Sequence, residues 1–388
     1  MTRVIELLIS LAIVAALFLI VGLLLPSSRH LVEKAETNRK QTIVYDTLNS
    51  LRRFDDWNPL VLRDPRVQLK LSGPESGVGA RLDYVSQEKN IGEGSWTITE
   101  SVPKQKVAIA ITNPDRGENK RTVFTLEPTG RNNRNVEITQ TYDVDYGWNI
   151  LGRYFGLYVS RYVGDDMKMG LGRLTNMLAT VPNVDYAQSG TKLANLGVVE
   201  LPAQDILFVN SGAIERGNEQ IQASMNANME WIKRNMAANG LQPVGPMRII
   251  TNDLGRTTYN FDVAQAVRKG GPAPADEDKK KPAEGEEGAD AAAAAPAVPE
   301  AEFDAATQPE LQLTLTGPVK HVRTAPGRFA HATYTGFMPE LETVRNALRA
   351  WAVTQGYEIT ERPYEMYKSG VAGSFTENGE FEVFWRIK

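Results

Sequence analysis

The sequence predicts an α+β protein on a membrane stalk: an N-terminal transmembrane helix, a helix-grip antiparallel sheet domain, and a duplicated strand-helix-strand-strand domain. Three patterns carry this reading. A long apolar run opens the chain, a series of alternating strand-like segments follows, and one strand-helix-strand-strand order then occurs twice.

The apolar run comes first. Only Ser10 and Gly22 interrupt the Leu, Ile, Val, Ala and Phe residues between Leu7 and Leu25. A helix needs about 20 such residues to cross a hydrocarbon core. Glu6 lies near one end, where its charge can reach the interface rather than the costly bilayer centre. Pro26-Ser27-Ser28 stops the helix, so residues 4–25 are read as one span. A cleaved signal peptide would have an apolar region of about 7 to 15 residues followed by a small-residue cleavage site. This run is longer, and Leu25-Pro26-Ser27-Ser28-Arg29 is a poor cleavage site. Arg29, Lys34, Arg39 and Lys40 after the span would draw that side inward by the positive-inside rule. A folded domain that begins near residue 30, however, translocates largely regardless of such charges.

After the span, about 360 residues suffice for two domains. The chain has no Cys, which excludes disulfide and thiolate chemistry, and its three His residues (His30, His321, His331) are too scattered to suggest a metal cluster. Residues 270–302 contain Gly, Pro, Ala, Asp, Glu and Lys with no aromatic residue, and carry a net charge of −6. Such a stretch cannot bury enough apolar surface to offset its ordering entropy and is read as a disordered insertion.

The first folded region is placed at residues 30–182. Leu31 to Thr37 reads as a strand and Arg39 to Arg53 as a helix. Strand-like runs follow at Val67–Leu71, Ala80–Ser86, Gly94–Ser101, Lys106–Thr112, Arg121–Glu127 and Asn135–Asp143, several with period-two alternation. From Trp148 the pattern is helical, with Val163, Met167, Leu171, Leu174 and Leu178 at spacings of three and four. A strand, a helix, a long meander and a closing helix make a helix-grip arrangement. In order, the chain also has Trp57-Asn58-Pro59-Leu60, a Gly-x-Gly-Ala turn at Gly77 to Ala80, and a Gly-x-Gly before a Trp strand at Gly92 to Trp96. With a membrane helix leading in, this region resembles the SRPBCC superfamily (START-like, polyketide cyclase/dehydrase type). Leu60 departs from that family's second Trp. The resemblance implies an apolar or lipid-like ligand between the sheet and the last helix. It also implies a soluble part outside the cytoplasmic membrane. Trp57 and Trp96 are the candidate lining residues, with aromatic core packing as the default for both.

The second folded region, residues 194–388, is a repeat around the insertion. The first copy has a strand at Ile206–Asn210, a helix at Glu219–Ala238, then Pro246-Met247-Arg248-Ile249 and Tyr259–Val263. The second has a strand at Phe329–Thr335, a helix at Glu340–Thr354, then Pro363-Tyr364-Glu365-Met366-Tyr367 and Glu380–Phe384. This region resembles the GyrI-like small-molecule-binding domain, also called the AraC effector-binding domain. The resemblance implies a pocket enclosed by the two copies, with Glu365 at the acidic position and Arg248 at the matching position of the first copy. A buried carboxylate flanked by aromatics attracts an organic cation, and alternation sends Glu365 and Tyr367 to one face. Trp231, beside the Ile221/Met225/Met229/Ile232/Met236 stripe, and Tyr334 and Trp385 on strands are further candidates for ligand contact. Trp351 belongs to the core stripe of its helix.

The functional expectation is a membrane-anchored protein with two pocket-forming modules and no cofactor. Its ligands would be an apolar one in the first domain and a small organic molecule, cations included, in the second. Two alternatives stay open: a hydrolase that uses Glu365 as a general base, as some GyrI-like proteins do, and a structural or interaction protein. No basic surface with interleaved aromatics suggests nucleic acid.

Overall fold

The computed structural model describes residues 2–187, 193–270 and 304–388. The fold is α+β: an N-terminal apolar helix and two antiparallel sheets, with the chain divided into two compact units, one on each sheet. The insertion expected at 270–302 lies outside the described residues except for Gly270. Helix α1 (Thr2–Leu24) is long and apolar enough to cross a membrane, and its Leu, Ile and Val side chains face outward.

The first unit is a seven-stranded meander. β1 (Ser28–Thr37) is followed by α2 (Gln41–Asn49), α3 (Phe54–Trp57) and α4 (Leu60–Arg63). The helix expected over 39–53 is thus shorter and continues as separate turns. β2 (Gln68–Ser72), β3 (Arg81–Val85), β4 (Glu93–Val102), β5 (Lys106–Thr112), β6 (Glu118–Thr129) and β7 (Asn135–Asp145) follow in sequence. β1 closes against β7, giving the order β1-β7-β6-β5-β4-β3-β2. Gly77, Gly79 and Gly92 all have positive φ, the backbone state that their turns require. The closing helical segment is broken into α5 (Ile150–Phe155) and α6 (Val159–Leu178). Asn149 starts α5 by accepting a hydrogen bond from the Gly152 amide at 2.9 Å. Leu171, Leu174 and Leu178 of α6 are buried, as their spacing requires.

The second unit is an eight-stranded sheet. β8 (Leu193–Leu201), β9 (Asp205–Glu215), α7 (Asn218–Ala238), β10 (Leu241–Leu254) and β11 (Thr258–Lys269) precede the insertion. β12 (Lys320–Arg323), β13 (Gly327–Gly336), α8 (Leu341–Thr354), β14 (Tyr364–Tyr367), α9 (Gly370–Ser374) and β15 (Gly379–Ile387) follow it. The order β12-β9-β11-β10-β14-β15-β13-β8 sets the two copies side by side with β10 and β14 at the seam. The outermost strands are exchanged. β8 precedes the first copy but pairs with β13 of the second, and β12 precedes the second copy but pairs with β9 of the first. Side chains fix the β12 edge. Buried Asp205 accepts two hydrogen bonds from the Arg323 guanidinium, at 2.7 and 3.0 Å, and lies 2.9 Å from His321 Nε2.

A second device holds the chain that leads into β12. Asn235 on α7 and Asn239 at its C-terminal cap lie four residues apart. The Asn235 side-chain oxygen accepts from the Thr316 amide at 2.8 Å, while its nitrogen donates to the Thr316 carbonyl at 3.1 Å. Asn239 does the same with Thr314, at 2.9 and 3.1 Å. Two carboxamides four residues apart thus match peptide groups two residues apart on an extended strap. Asn235 is 1% exposed and its bonds to Thr316 are part-buried, so truncating it removes two hydrogen bonds worth about 0.5–1.5 kcal/mol each. Asn235→Ala is expected to speed hydrogen exchange of the Thr314 and Thr316 amides at least tenfold. Unchanged exchange would mean that other contacts hold the strap.

On the sheet face opposite Glu365, Glu382 meets His331 Nε2 at 3.5 Å and Lys368 Nζ at 2.9 Å. These partners, His331 first, hold its carboxyl down at about 2, against 4.5 for a free Glu. A folded pKa below the unfolded one stabilises fully above about 4.5 and loses that contribution as pH falls toward about 2. Glu382→Gln should therefore cost at most about 3 kcal/mol near neutral pH. The urea midpoints of variant and parent should converge across that acid window; parallel midpoints throughout would contradict the assignment.

Candidate functional site

At the seam of the second sheet, Ile249 of β10 stands opposite Glu365 of β14, and Val383 of β15 stands opposite it on the other side. Cross-strand partners share a face, so Glu365 lies among apolar neighbours and is fully buried. Its partner is Arg345 of α8, whose Nε donates to Glu365 Oε1 at 2.5 Å. Arg345 also reaches the Tyr259 hydroxyl at 3.4 Å, and that hydroxyl lies 2.9 Å from Thr251 Oγ1. Glu365 Oε2 is buried with no hydrogen-bond partner. Burial pushes the Glu365 carboxyl up and Arg345 pulls it back down, with the upward effect larger. Burial likewise raises the Tyr259 and Tyr367 hydroxyls, so both stay neutral.

Around this pair the candidate residues divide into three groups. Tyr367 shares the Glu365 face and packs edge-on against Phe381 at 5.0 Å, and Tyr334 stacks on the same ring at 5.8 Å. The Tyr334 hydroxyl is bonded to Glu340. Trp385, two residues from Val383 on the same face, donates its indole N–H to the Arg345 carbonyl at 3.2 Å. It lines an open groove of about 390 Å³ whose other walls include Thr251, Asn252, Arg345, Arg349 and Pro363. The groove therefore reaches one side of Arg345 while Glu365 holds the other. Trp231 stands apart, 37% exposed, with Arg234 5.4 Å over its ring. Its ring covers Gly317, where a Cβ would come within 2.5 Å of it. Arg248 pairs with Met366 and so lies on the face opposite Glu365; it is Ile249 that occupies the Glu365 side. A bulge between Val244 and Arg248 gives β10 two more residues than β11 over the same stretch, an even shift that leaves its faces in phase.

In the first unit, Trp57 and Trp96 meet through Phe54. Their ring centroids lie 5.7 and 5.0 Å from that of Phe54, and Trp57 also packs on Phe124 at 5.8 Å. Gly170 of α6 lets Pro59 and Trp57 approach the helix backbone. The space between sheet and closing helix is thus occupied by an aromatic core. Among the described residues, no group of three or more His, Cys, Asp or Glu side chains converges as metal ligands do.

The residue that the sequence reading missed is Arg345. It lies four positions after Leu341 and three before Leu348, on the apolar stripe of α8, where a charge demands a partner. An acid on an apolar strand and a base on an apolar helix stripe were the available signal. Removing one member of a buried pair costs about 3–5 kcal/mol, whereas replacing both can be neutral. Arg345→Met is thus expected to destabilise the C-terminal domain by about that much in urea unfolding. Adding Glu365→Leu should recover most of the loss, and additive losses would mean that the two side chains act independently.

No family model matches the chain, and no curated protein matches it in sequence. Solved structures similar to parts of it include a truncated norcoclaurine synthase from Thalictrum flavum. That match has 12% identity, covers 39% of this chain and 94% of that chain, and has a TM-score of 0.31. Protein CV1439 from Chromobacterium violaceum matches at 13% identity over 39% of this chain and 98% of that chain, with a TM-score of 0.29. The C-terminal domain of EcmrR matches at 13% identity over 50% of this chain and 97% of that chain, with a TM-score of 0.33. Likenesses this weak determine neither family nor ligand.

Proposed function

We propose that the chain is a single-pass membrane protein whose C-terminal domain binds a small organic molecule in the groove beside Trp385. The observation that carries this reading is the buried Glu365, bonded through one oxygen to Arg345 at the groove wall and unpartnered at the other. An aromatic wall, a guanidinium and a carboxylate behind it offer the few placed polar groups that a small-molecule site uses. An organic cation would draw on Glu365 by displacing Arg345, and Trp385 would add cation–π attraction. A general base would have to give up the same Arg345 bond and would need a second positioned catalytic group besides, so the binding reading asks less of the site than hydrolysis does.

Retention of α1 is supported by its C-terminal end. The Arg153 guanidinium donates to the carbonyls of Leu23 at 2.8 Å and Leu25 at 3.3 Å. An extracytoplasmic soluble part fits the way long domains translocate. An apolar ligand between the sheet and the closing helix would have to part the Phe54/Trp57/Trp96/Phe124 core.

The test is thermal shift of the full-length chain in detergent against aromatic and quaternary-ammonium amines with matched carboxylates. A ligand at a hundred times its Kd stabilises by about 2.7 kcal/mol. Amines should raise the C-terminal transition, and Trp385→Ala should abolish the rise. If carboxylates alone shift it, the cation reading fails and the groove remains; if nothing in either set shifts it, small-molecule binding at this site fails.

A further inference from the structure

Between residues 148 and 162, six large apolar or aromatic side chains face outward: Trp148, Leu151, Phe155, Leu157, Tyr158 and Tyr162. Trp148 is 84% exposed, an arrangement that leaves most of a large amphipathic ring to solvent. The backbone explains why they cluster. Trp148 lies on the turn before α5, Leu151 and Phe155 on α5, Leu157 and Tyr158 on the turn after it, and Tyr162 on the first turn of α6, so one short stretch of chain carries them all.

That stretch is fixed against α1. The Phe18 and Tyr154 rings stack at 4.5 Å and 9°, and the Tyr154 hydroxyl donates to the Phe18 carbonyl at 2.8 Å. Ile150 packs on Gly22 so closely that a Cβ there would come within 2.2 Å of it. Arg153 caps the carbonyls at the end of α1, as a basic side chain does at a helix C-terminus. At 1.5 Å per residue, Phe18 lies about 10 Å along the helix axis from Leu25. The contact is therefore with the last two turns of the apolar helix, not with a linker beyond it.

We infer that residues 148–162 form a second membrane contact: the outward face of α5 and the start of α6 lies in the interfacial layer of the bilayer that α1 crosses. The inference rests on the anchor reading of α1 and adds a lipid surface that this reading does not require. Its chemistry fits. Trp and Tyr belong at the headgroup level, while Leu151 and Phe155 supply the apolar face of an interfacial helix. The exposed Arg116 guanidinium lies 4.9 Å over the Phe155 ring, where a long basic side chain reaches the phosphates. Asp165 and Asp166 mark where the belt ends along α6, with Asp166 already paired to Arg63 at 2.7 Å.

The absence of cysteine makes the test direct. Leu151→Cys, Phe155→Cys, Val14→Cys in α1 and Arg131→Cys at the β6–β7 tip would each be spin-labelled in the full-length chain. The chain would sit in nanodiscs of phosphatidylcholine and phosphatidylglycerol. The ratio of oxygen to nickel-chelate accessibility reports depth. The labels at 151 and 155 should read several-fold above the one at 131 and below the one at 14. If 14 reads within the bilayer while 151 and 155 read like 131, the second contact fails and the anchor stands; this is also the result expected if the patch serves a protein partner. If 14 also reads aqueous, the anchor reading fails and the inference with it. Quenching of the unlabelled chain by bromine-bearing acyl chains checks the native side chains. Trp148→Phe should remove most of the quenchable emission, and unchanged quenching would overturn the placement of Trp148.

Discussion

The antiparallel pairing of β10 with β14 is the contact on which the second domain depends. It spans only Arg248 to Ile250 against Tyr364 to Met366. Without it there are two four-stranded sheets, each with one more open edge; with it there is one eight-stranded sheet whose interior edges are all used. The seam also dictates the chemistry. A carboxylate placed between Ile249 and Val383 is out of water by construction, and a carboxylate out of water must be neutral or paired. Arg345, delivered from above by α8, is the pairing that the fold supplies. One oxygen is satisfied and one is not, so the site keeps a residual demand for a donor.

The first domain resolves a similar problem by packing rather than pairing. A curved sheet closed by one long helix leaves a wide interior, and here Phe54, Trp57, Trp96 and Phe124 occupy it with edge-to-face contacts. Such pairs add about 0.5–1.5 kcal/mol beyond the area they bury. The polar commitments of this domain lie instead at its lower end, where Arg153 serves the carbonyls of α1 and Asn149 starts α5.

Much of this was legible from pattern. The alternation in Asn135–Asp143 and the stripes of α6 and α7 were read close to their observed bounds, because burial on one face imposes a strict period. What escaped notice was set by tertiary contacts. β12 is four residues, Lys-His-Val-Arg, with no apolar alternation; it is a strand because Asp205 holds Arg323 and His321. Motif alignment set Arg248 at the place matching Glu365, whereas the register of β10 on β14 puts it across from Met366, on the other face, and register cannot be read from the motif. At the candidate site, Glu365 and Tyr367 were legible as one face of a strand. Arg345 was not, since nothing local says which acid a helix cation will meet.

The exchanged edge strands bear on how the chain acquires its fold during synthesis. β9 cannot be covered until β12, more than a hundred residues later, has emerged, and β8 waits for β13, later still. Pairings so far apart in sequence fold slowly, and an uncovered strand edge is the usual template for wrong partners. A nascent chain would pass through this stage with two open edges beside its neighbours. Spacing between growing chains, as much as the sequence of the sheet, then governs how many reach the native pairing.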